Sequence, residues 1–120
     1  MVADDVAINR MLLSAMLVPL AKTVTVVADG NEVLEALESA PYDIIIMDVQ
    51  MPNMGGIEAT KIIREHSSYK TLPIVGLTGE EAIERHEQLF AAGMDAVLIK
   101  PISFDPLMSK LRECYSAQRS

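Results

Sequence analysis

Residues 42–56 read YDIIIMDVQMPNMGG. The unbroken apolar run from Ile44 to Met47 ends in an acid, Asp48, and a loop punctuated by Pro52, Gly55 and Gly56 follows at once. Strand side chains alternate between faces, so an uninterrupted apolar run predicts a strand covered on both sides, as in the parallel sheets of α/β proteins. Asp48 then stands at the carboxyl end of a central strand, the edge where open α/β sheets bind ligands. An Asp there also starts turns and caps helices, so this stretch alone leaves both roles open.

Upstream, Met1 to Ala3 run into Asp4 and Asp5 and read as the end of a first strand. Central strands usually have about 5 or 6 residues, so the short start predicts that residues 1–120 form a single domain excised from a longer protein. A helix is expected over 6–20 with Ile8, Leu12, Ala15 and Met16 inward, its last turn disturbed by Pro19. The β-branched run 23–28 predicts the second strand. Asp29-Gly30-Asn31 turns into a helix over 31–39 with Val33, Leu34 and Leu37 inward, closed by Pro41. The organising strand covers 43–48.

Downstream, Gly56 opens a helix to about residue 65 whose apolar positions are Ile57, Ile62 and Ile63. A fourth strand is expected over 72–78. A helix over 80–92 follows, acidic in its first turn as the helix dipole favours and ended by Gly93. The fifth strand covers 96–99, and Lys100-Pro101 breaks it. A last helix over 103–117 carries Phe104, Leu107, Met108, Leu111 and Cys114 at helical spacing. Five strands alternating with five helices predict a doubly wound parallel sheet with right-handed crossovers, in the flavodoxin-like order 2-1-3-4-5.

Composition narrows the class. Half the residues are apolar, and no apolar stretch reaches the roughly 20 residues of a membrane span. There is no signal-peptide pattern, and the lone Cys114 forms no internal disulfide. A cytoplasmic domain without direct membrane contact is expected, or one on the cytoplasmic side of the membrane within a larger protein. The net charge of −7 argues against nucleic acid as a direct ligand and suits a cation or a basic partner.

In the expected strand order, the polar residues at the strand ends gather in one crevice: Asp4 and Asp5 after the first strand, Asp48, Thr78 and Lys100 after the third, fourth and fifth. Carboxylates about 4 to 5 Å apart repel by about 3 to 4 kcal/mol per pair at an effective dielectric near 20. Lys100 offsets one charge, and a hard divalent cation offsets two while taking oxygen ligands. Mg²⁺ is usually held by one or two carboxylates together with a phosphate. Asp5 and Asp48 can supply those carboxylates, with Asp4 acting through a water. Asp48 could then attack phosphorus and form an acyl phosphate, while Lys100 and the Thr78 hydroxyl hold the equatorial oxygens. Singly, each residue has a structural explanation as a cap or a surface lysine; their joint placement is the signal.

These residues resemble a known family. Asp4-Asp5, Ile8-Asn9-Arg10, Met47-Asp48-Val49-Gln50-Met51-Pro52, Gly56 with Ile57-Glu58-Ala59-Thr60, Leu77-Thr78, Ala91-Ala92-Gly93-Met94-Asp95 and Lys100-Pro101 are similar to the receiver domain of two-component response regulators, in order and over essentially the whole chain. The opening and the Gln50-Met51-Pro52 loop are most like receivers of hybrid histidine kinases. The resemblance implies Asp48 as phosphoacceptor, and Mg²⁺ (or Mn²⁺) held by Asp4, Asp5, Asp48 and the backbone carbonyl of Gln50. It further implies Thr78 as switch hydroxyl, Lys100 on the phosphoryl group and a cis Lys100-Pro101 bond. The donor would be a phosphohistidine on a histidine kinase or a histidine phosphotransfer domain, and the domain would catalyse its own Mg-dependent phosphorylation and dephosphorylation. A phosphorylation-dependent dimer through helix four, strand five and helix five also follows from the resemblance. Gln50 and Glu80 occupy positions that border the phosphoryl group in the family.

Departures and rivals complete the reading. Val97 stands where the family usually has Tyr or Phe, so no aromatic rotamer can report switching. Gly55 replaces the usual Asp and predicts a more mobile loop; Gly79, where Ala is common, would loosen the start of helix four. His66 and His86 read as solvated side chains and not phosphoryl carriers. A phosphatase of the haloacid dehalogenase type would need an Asp where Gln50 stands, and room for a cap domain. A flavin carrier would need a phosphate loop where Asp4 and Asp5 would repel the ligand. The remaining rival is a degenerate receiver acting only as a protein-binding module.

Overall fold

The computed structural model describes residues 1–18, 24–79, 86–100 and 102–119, with burial described as far as residue 114. Its strands are β1 (Val2–Ala3), β2 (Val26–Val27), β3 (Ile45–Asp48), β4 (Ile74–Thr78) and β5 (Ala96–Ile99). The helices are α1 (Ala7–Leu17), α2 (Gly30–Ser39), α3 (Gly56–Glu65), α4 (His86–Ala92) and α5 (Phe104–Arg119), with a 3₁₀ turn at Ser67–Tyr69. All strand pairs are parallel and the order is β2-β1-β3-β4-β5, the arrangement the alternating pattern predicts.

The apolar run of β3 divides as expected between two cores. Ile45 and Met47 join Val33, Leu37, Ala59, Ile63 and Leu89, under α2, α3 and α4. Ile46 joins Val75, Leu77, Leu13, Leu17, Leu107 and Met108, under α1 and α5. Each fully buried aliphatic side chain contributes about 1.5–3 kcal/mol. The ladders are shorter than the β-branched runs. β2 pairs with the two residues of β1, Val2 with Val26 and Ala3 with Val27, so among the described residues of the expected run the ladder covers only Val26 and Val27.

Helix phases agree in part. In α2, Val33 and Leu37 are buried and Leu34 packs at the margin. In α5, Leu107, Met108 and Cys114 are buried and Leu111 is half-buried, but Phe104 is exposed. In α3, Ile63 is buried beside Ala59 and Thr60, Ile57 packs partly, and Ile62 points outward. The expected stripe of α1 is overturned: Ile8 is 63% exposed and Leu12 54%, Ala15 faces solvent, and Leu13 and Leu17 hold the core with Met16 at its edge. Polar Asn9, Arg10 and Ser14 share the side of the helix that holds Leu13 and Leu17, so the apolar stripe read from periodicity points away from the core.

His86 is only half-buried and its Nε2 is closed off from solvent, not solvated as expected, whereas His66 is exposed and accepts the Ser68 N–H. Pro19 and the last expected turn of helix one, Thr23, the first residues 80–85 of helix four with Glu80, and Pro101 with its peptide bond lie outside the described residues. Among the described residues no helix is long and apolar enough to cross a membrane.

Candidate functional site

Parallel register brings the strand ends to one edge. Ala3 pairs with both Val27 and Met47, Asp48 with Leu77, and Thr78 with Ile99, so Asp4, Asp48, Thr78 and Lys100 leave the sheet at one level. Backbone bonds lock the exits: Asp4 N–H to Val27 O at 3.1 Å, Val49 N–H to Leu77 O at 2.9 Å, and Lys100 N–H to Thr78 O at 2.7 Å. Gly56 lets α3 start against this edge, because a Cβ there would lie 2.5 Å from the Asp48 carbonyl oxygen.

A crevice of about 560 Å³ opens above, lined by Asp5, Asp48, Gln50, Met51, Thr78 and Lys100 among others. Asp4 lies beneath its floor, 0% exposed, with Asp48 4% exposed above it. Ligand oxygens of Asp4, Asp5 and Asp48 all fall within 4.8 Å of one another. The Lys100 ammonium donates to Asp48 Oδ2 at 2.7 Å and sits 3.7 Å from Asp4 Oδ2. Asp48 Oδ1 accepts the Gln50 N–H at 3.2 Å, and Asp4 Oδ1 accepts the Val6 N–H at 2.9 Å at the entry to α1. The five residues singled out by sequence therefore converge, with Asp4 beneath the floor and the others lining the crevice.

The electrostatics are unbalanced. Burial pushes the Asp48 carboxyl above its usual range, and the Lys100 hydrogen bond and charge offset this only in part. Burial also works against the Lys100 ammonium, but the Asp48 hydrogen bond and the charges of Asp48, Asp4 and Asp5 outweigh it and hold Lys100 above its usual value. Asp4 Oδ2 is buried with no hydrogen-bond partner among the described residues. Such an orphan acceptor costs about 1–3 kcal/mol, more when charged. Clustered carboxylate oxygens, one of them buried and spare, are donors of the kind a hard divalent cation takes, so the residues fit Mg²⁺.

Two features escaped the sequence reading. The first is the exposed apolar face of α1, with Val6, Ile8, Met11, Leu12 and Val18 all substantially open to solvent; Val6 also lines the crevice. Only the excess of apolar residues in this helix hinted at it. The second is how the loop after β3 is held. Gly56 N–H bonds to Val49 O at its base, and its far limb is tied to the turn before α2 through Asn53 and Met54. The loop that Gly55 was expected to loosen is thus fastened at other residues.

The sequence matches the response regulator receiver domain description over residues 1–112. It is 37% identical over 113 residues to the CAI-1 autoinducer sensor kinase/phosphatase CqsS of Vibrio cholerae, covering 92% of this chain and 16% of that protein. It is 37% identical over 115 residues to the sensor protein EvgS of Escherichia coli K12, covering 96% and 9%. The chain thus spans a small fraction of these relatives. Among solved structures, the chemotaxis response regulator CheY4 of Vibrio cholerae superposes with a TM-score of 0.87 at 35% identity, covering 94% of each chain. The receiver domain of the sensor histidine kinase PA1611 of Pseudomonas aeruginosa, solved with magnesium in its active-site cleft, gives 0.86 at 32% identity, covering 96% and 94%. With the family description matched over residues 1–112 and relatives 37% identical across more than nine-tenths of its length, this chain belongs to the response regulator receiver domain family of two-component signalling.

Proposed function

We propose that this chain is a phosphoacceptor in a two-component phosphorelay, taking a phosphoryl group from a phosphohistidine onto Asp48. One observation carries the reading: a strand-end carboxylate opens on a crevice with an ammonium 2.7 Å from one oxygen and two further acids within 4.8 Å. In the transfer, an Asp48 carboxylate oxygen forms the O–P bond as the P–N bond breaks, and the electron pair of that bond stays with the imidazole. Lys100 holds phosphoryl oxygen charge from one side, and Thr78, on the neighbouring strand end, offers a hydroxyl from another. Asp5, Asp48 and the Gln50 backbone carbonyl, with Asp4 behind them, would hold Mg²⁺ (or Mn²⁺). When bound, the ion supplies positive charge against the phosphoryl oxygens. Gln50 lines the crevice and borders the path of a hydrolytic water, so exchanging it should alter the acyl-phosphate lifetime.

The donor fits a helical protein domain, a histidine kinase or a histidine phosphotransfer domain. The apolar face of α1 begins at Val6 on the lip of the crevice, and exposed apolar side chains gathered on one helix face suit docking against another apolar face. By the same reasoning, Phe90, Ile99 and Phe104 are exposed on α4, β5 and α5, where a phosphorylation-dependent dimer would form. The relatives suggest a parent hybrid histidine kinase on the cytoplasmic side of the membrane.

A second reading is a binding module that is never phosphorylated; the near-complete burial of Asp48 and Val97 in place of an aromatic favour it. Acetyl phosphate with Mg²⁺ separates the two. The expected result is addition of one phosphoryl group by intact mass, lost in Asp48→Asn. An unchanged wild-type mass would favour the binding module instead.

A further inference from the structure

The loop between β3 and α3 carries Gln50 and forms one wall of the crevice with Met51 and Pro52. Its far limb turns sharply at Asn53, which has φ 65° and is the one non-glycine residue with positive φ among those described. The turn closes with the Met54 N–H on Pro52 O at 2.6 Å. Three-residue turns of this positive-φ kind are rare and strained, and persist only where the surroundings hold them.

The surroundings are the corner between β2 and α2. Asn53 Nδ2 donates to Asp29 Oδ2 at 2.9 Å, and the Gly30 N–H donates to Met54 O at 2.9 Å. Two consecutive residues of one corner thus grip two consecutive residues of the loop. The approach is close enough to require glycine: a Cβ on Gly30 would lie 2.8 Å from the Met54 carbonyl oxygen. Asp29 is itself fixed and buried. Its Oδ1 caps α2 by accepting the Glu32 N–H at 2.9 Å, while Glu32 reaches back to the Ala28 N–H. One carboxylate therefore serves a helix cap with one oxygen and the crevice wall with the other.

We infer that Asp29 and Asn53 are positioning residues for the cation site, their hydrogen bond holding the Gln50-bearing loop in place before the ion arrives. This rests on the Mg²⁺ reading above. A loop ordered in advance need not be ordered on binding, whereas an untethered one weakens apparent affinity in proportion to the time it spends elsewhere.

The test uses variants that spare the rest of the corner. Asn53→Gly removes the side chain and keeps a residue tolerant of positive φ. Asp29→Ser keeps a good helix cap but is too short to reach Asn53. Calorimetric titration of the unphosphorylated protein with MgCl₂ should give a dissociation constant weakened by about fivefold in either variant, the scale of one lost hydrogen bond. The double variant should be no weaker than either single one, because both changes break the same bond. Asp29→Asn, which can still cap and can bond Asn53 with the amide reversed, should recover most of the affinity. Unchanged dissociation constants in both single variants, with binding intact in wild type, would overturn the inference and leave the cation site standing. Single effects that multiply in the double variant would overturn it too. Wild-type protein that binds no Mg²⁺ would remove the inference together with the reading beneath it.

Discussion

The two ends of the sheet treat charge in opposite ways. At the amino end, Arg64 of α3 spends its donors on the Gly93 carbonyl at 2.9 Å, the Tyr69 carbonyl at 2.7 Å and Asp95 Oδ2 at 2.8 Å, and the same Asp95 oxygen accepts the Ile74 N–H. Helix, 3₁₀ turn, α4–β5 turn and first residue of β4 are bound by one guanidinium with its partners supplied. At the carboxyl end, three acids share one ammonium, and a buried oxygen of Asp4 has no hydrogen-bond partner among the described residues. A satisfied polar network fixes a fold; an unsatisfied one at a crevice marks a candidate binding site. Similar residue types serve stability at one end and, in the proposed function, chemistry at the other, and hydrogen-bond saturation separates them.

Substitutions at each end should therefore fail differently. Lys100→Ala should lower the rate of Asp48 phosphorylation by acetyl phosphate by about a hundredfold, the scale of one lost donor to developing oxyanion charge; a rate within threefold or so of wild type would deny Lys100 that role. Arg64→Ala should destabilise the fold by about 2 kcal/mol, from several lost bonds including one to a charge. The same variant should leave the Mg²⁺ dissociation constant alone, and a parallel loss of metal binding would erase the contrast between the ends.

The unbalanced end predicts a gain as well. Because Asp48 has its proton affinity raised by burial, its ionised form opposes folding above its folded-state pKa, and protonation at lower pH relieves the strain. Asp48→Asn removes that charge and should stabilise the metal-free protein at neutral pH. It should also lose the Mg²⁺-induced rise in unfolding midpoint expected for wild type. Urea unfolding in chelator and in MgCl₂ checks both; a destabilised variant in chelator would mean that the Lys100 pairing outweighs the burial.

Legibility followed the same divide. The crevice acids, Thr78 and Lys100 were visible because each is a polar residue ending an apolar run, and the parallel order does the rest. The strand order was visible because strands and helices alternate. The phase of α1 was not: Asn9, Arg10 and Ser14 lie on the same side as Leu13 and Leu17, so the apolar stripe points away from the core that the helix uses. The Arg64 network and the Asp29–Asn53 bond were also invisible, since they join residues 31 and 24 positions apart through side chains whose direction no local pattern encodes. Asp29 and Glu32 did carry a local signal, the spacing of a helix-capping pair, which announces the cap but not the second use of the carboxylate.

Asp29 tests whether saturation, and not position, is what distinguishes the two regions, because it lies at the carboxyl end yet has its oxygens satisfied. The Asn53 hydrogen bond first, and the Glu32 N–H after it, hold its carboxyl below the usual 3.8. A depressed folded-state pKa means that the ionised form favours folding. Its contribution is complete above the unfolded value and is lost as pH falls through the folded one. Asp29→Asn lacks that titration, so wild type should exceed the variant in unfolding free energy near pH 6, and the gap should close as pH falls through the folded-state pKa, below 3.8. Urea midpoints across that range read it directly. A gap that stayed constant would show the cap and tether to be indifferent to charge, and would place Asp29 with the neutral hydrogen-bonded scaffold instead of with the charges that Arg64 exemplifies at the other end.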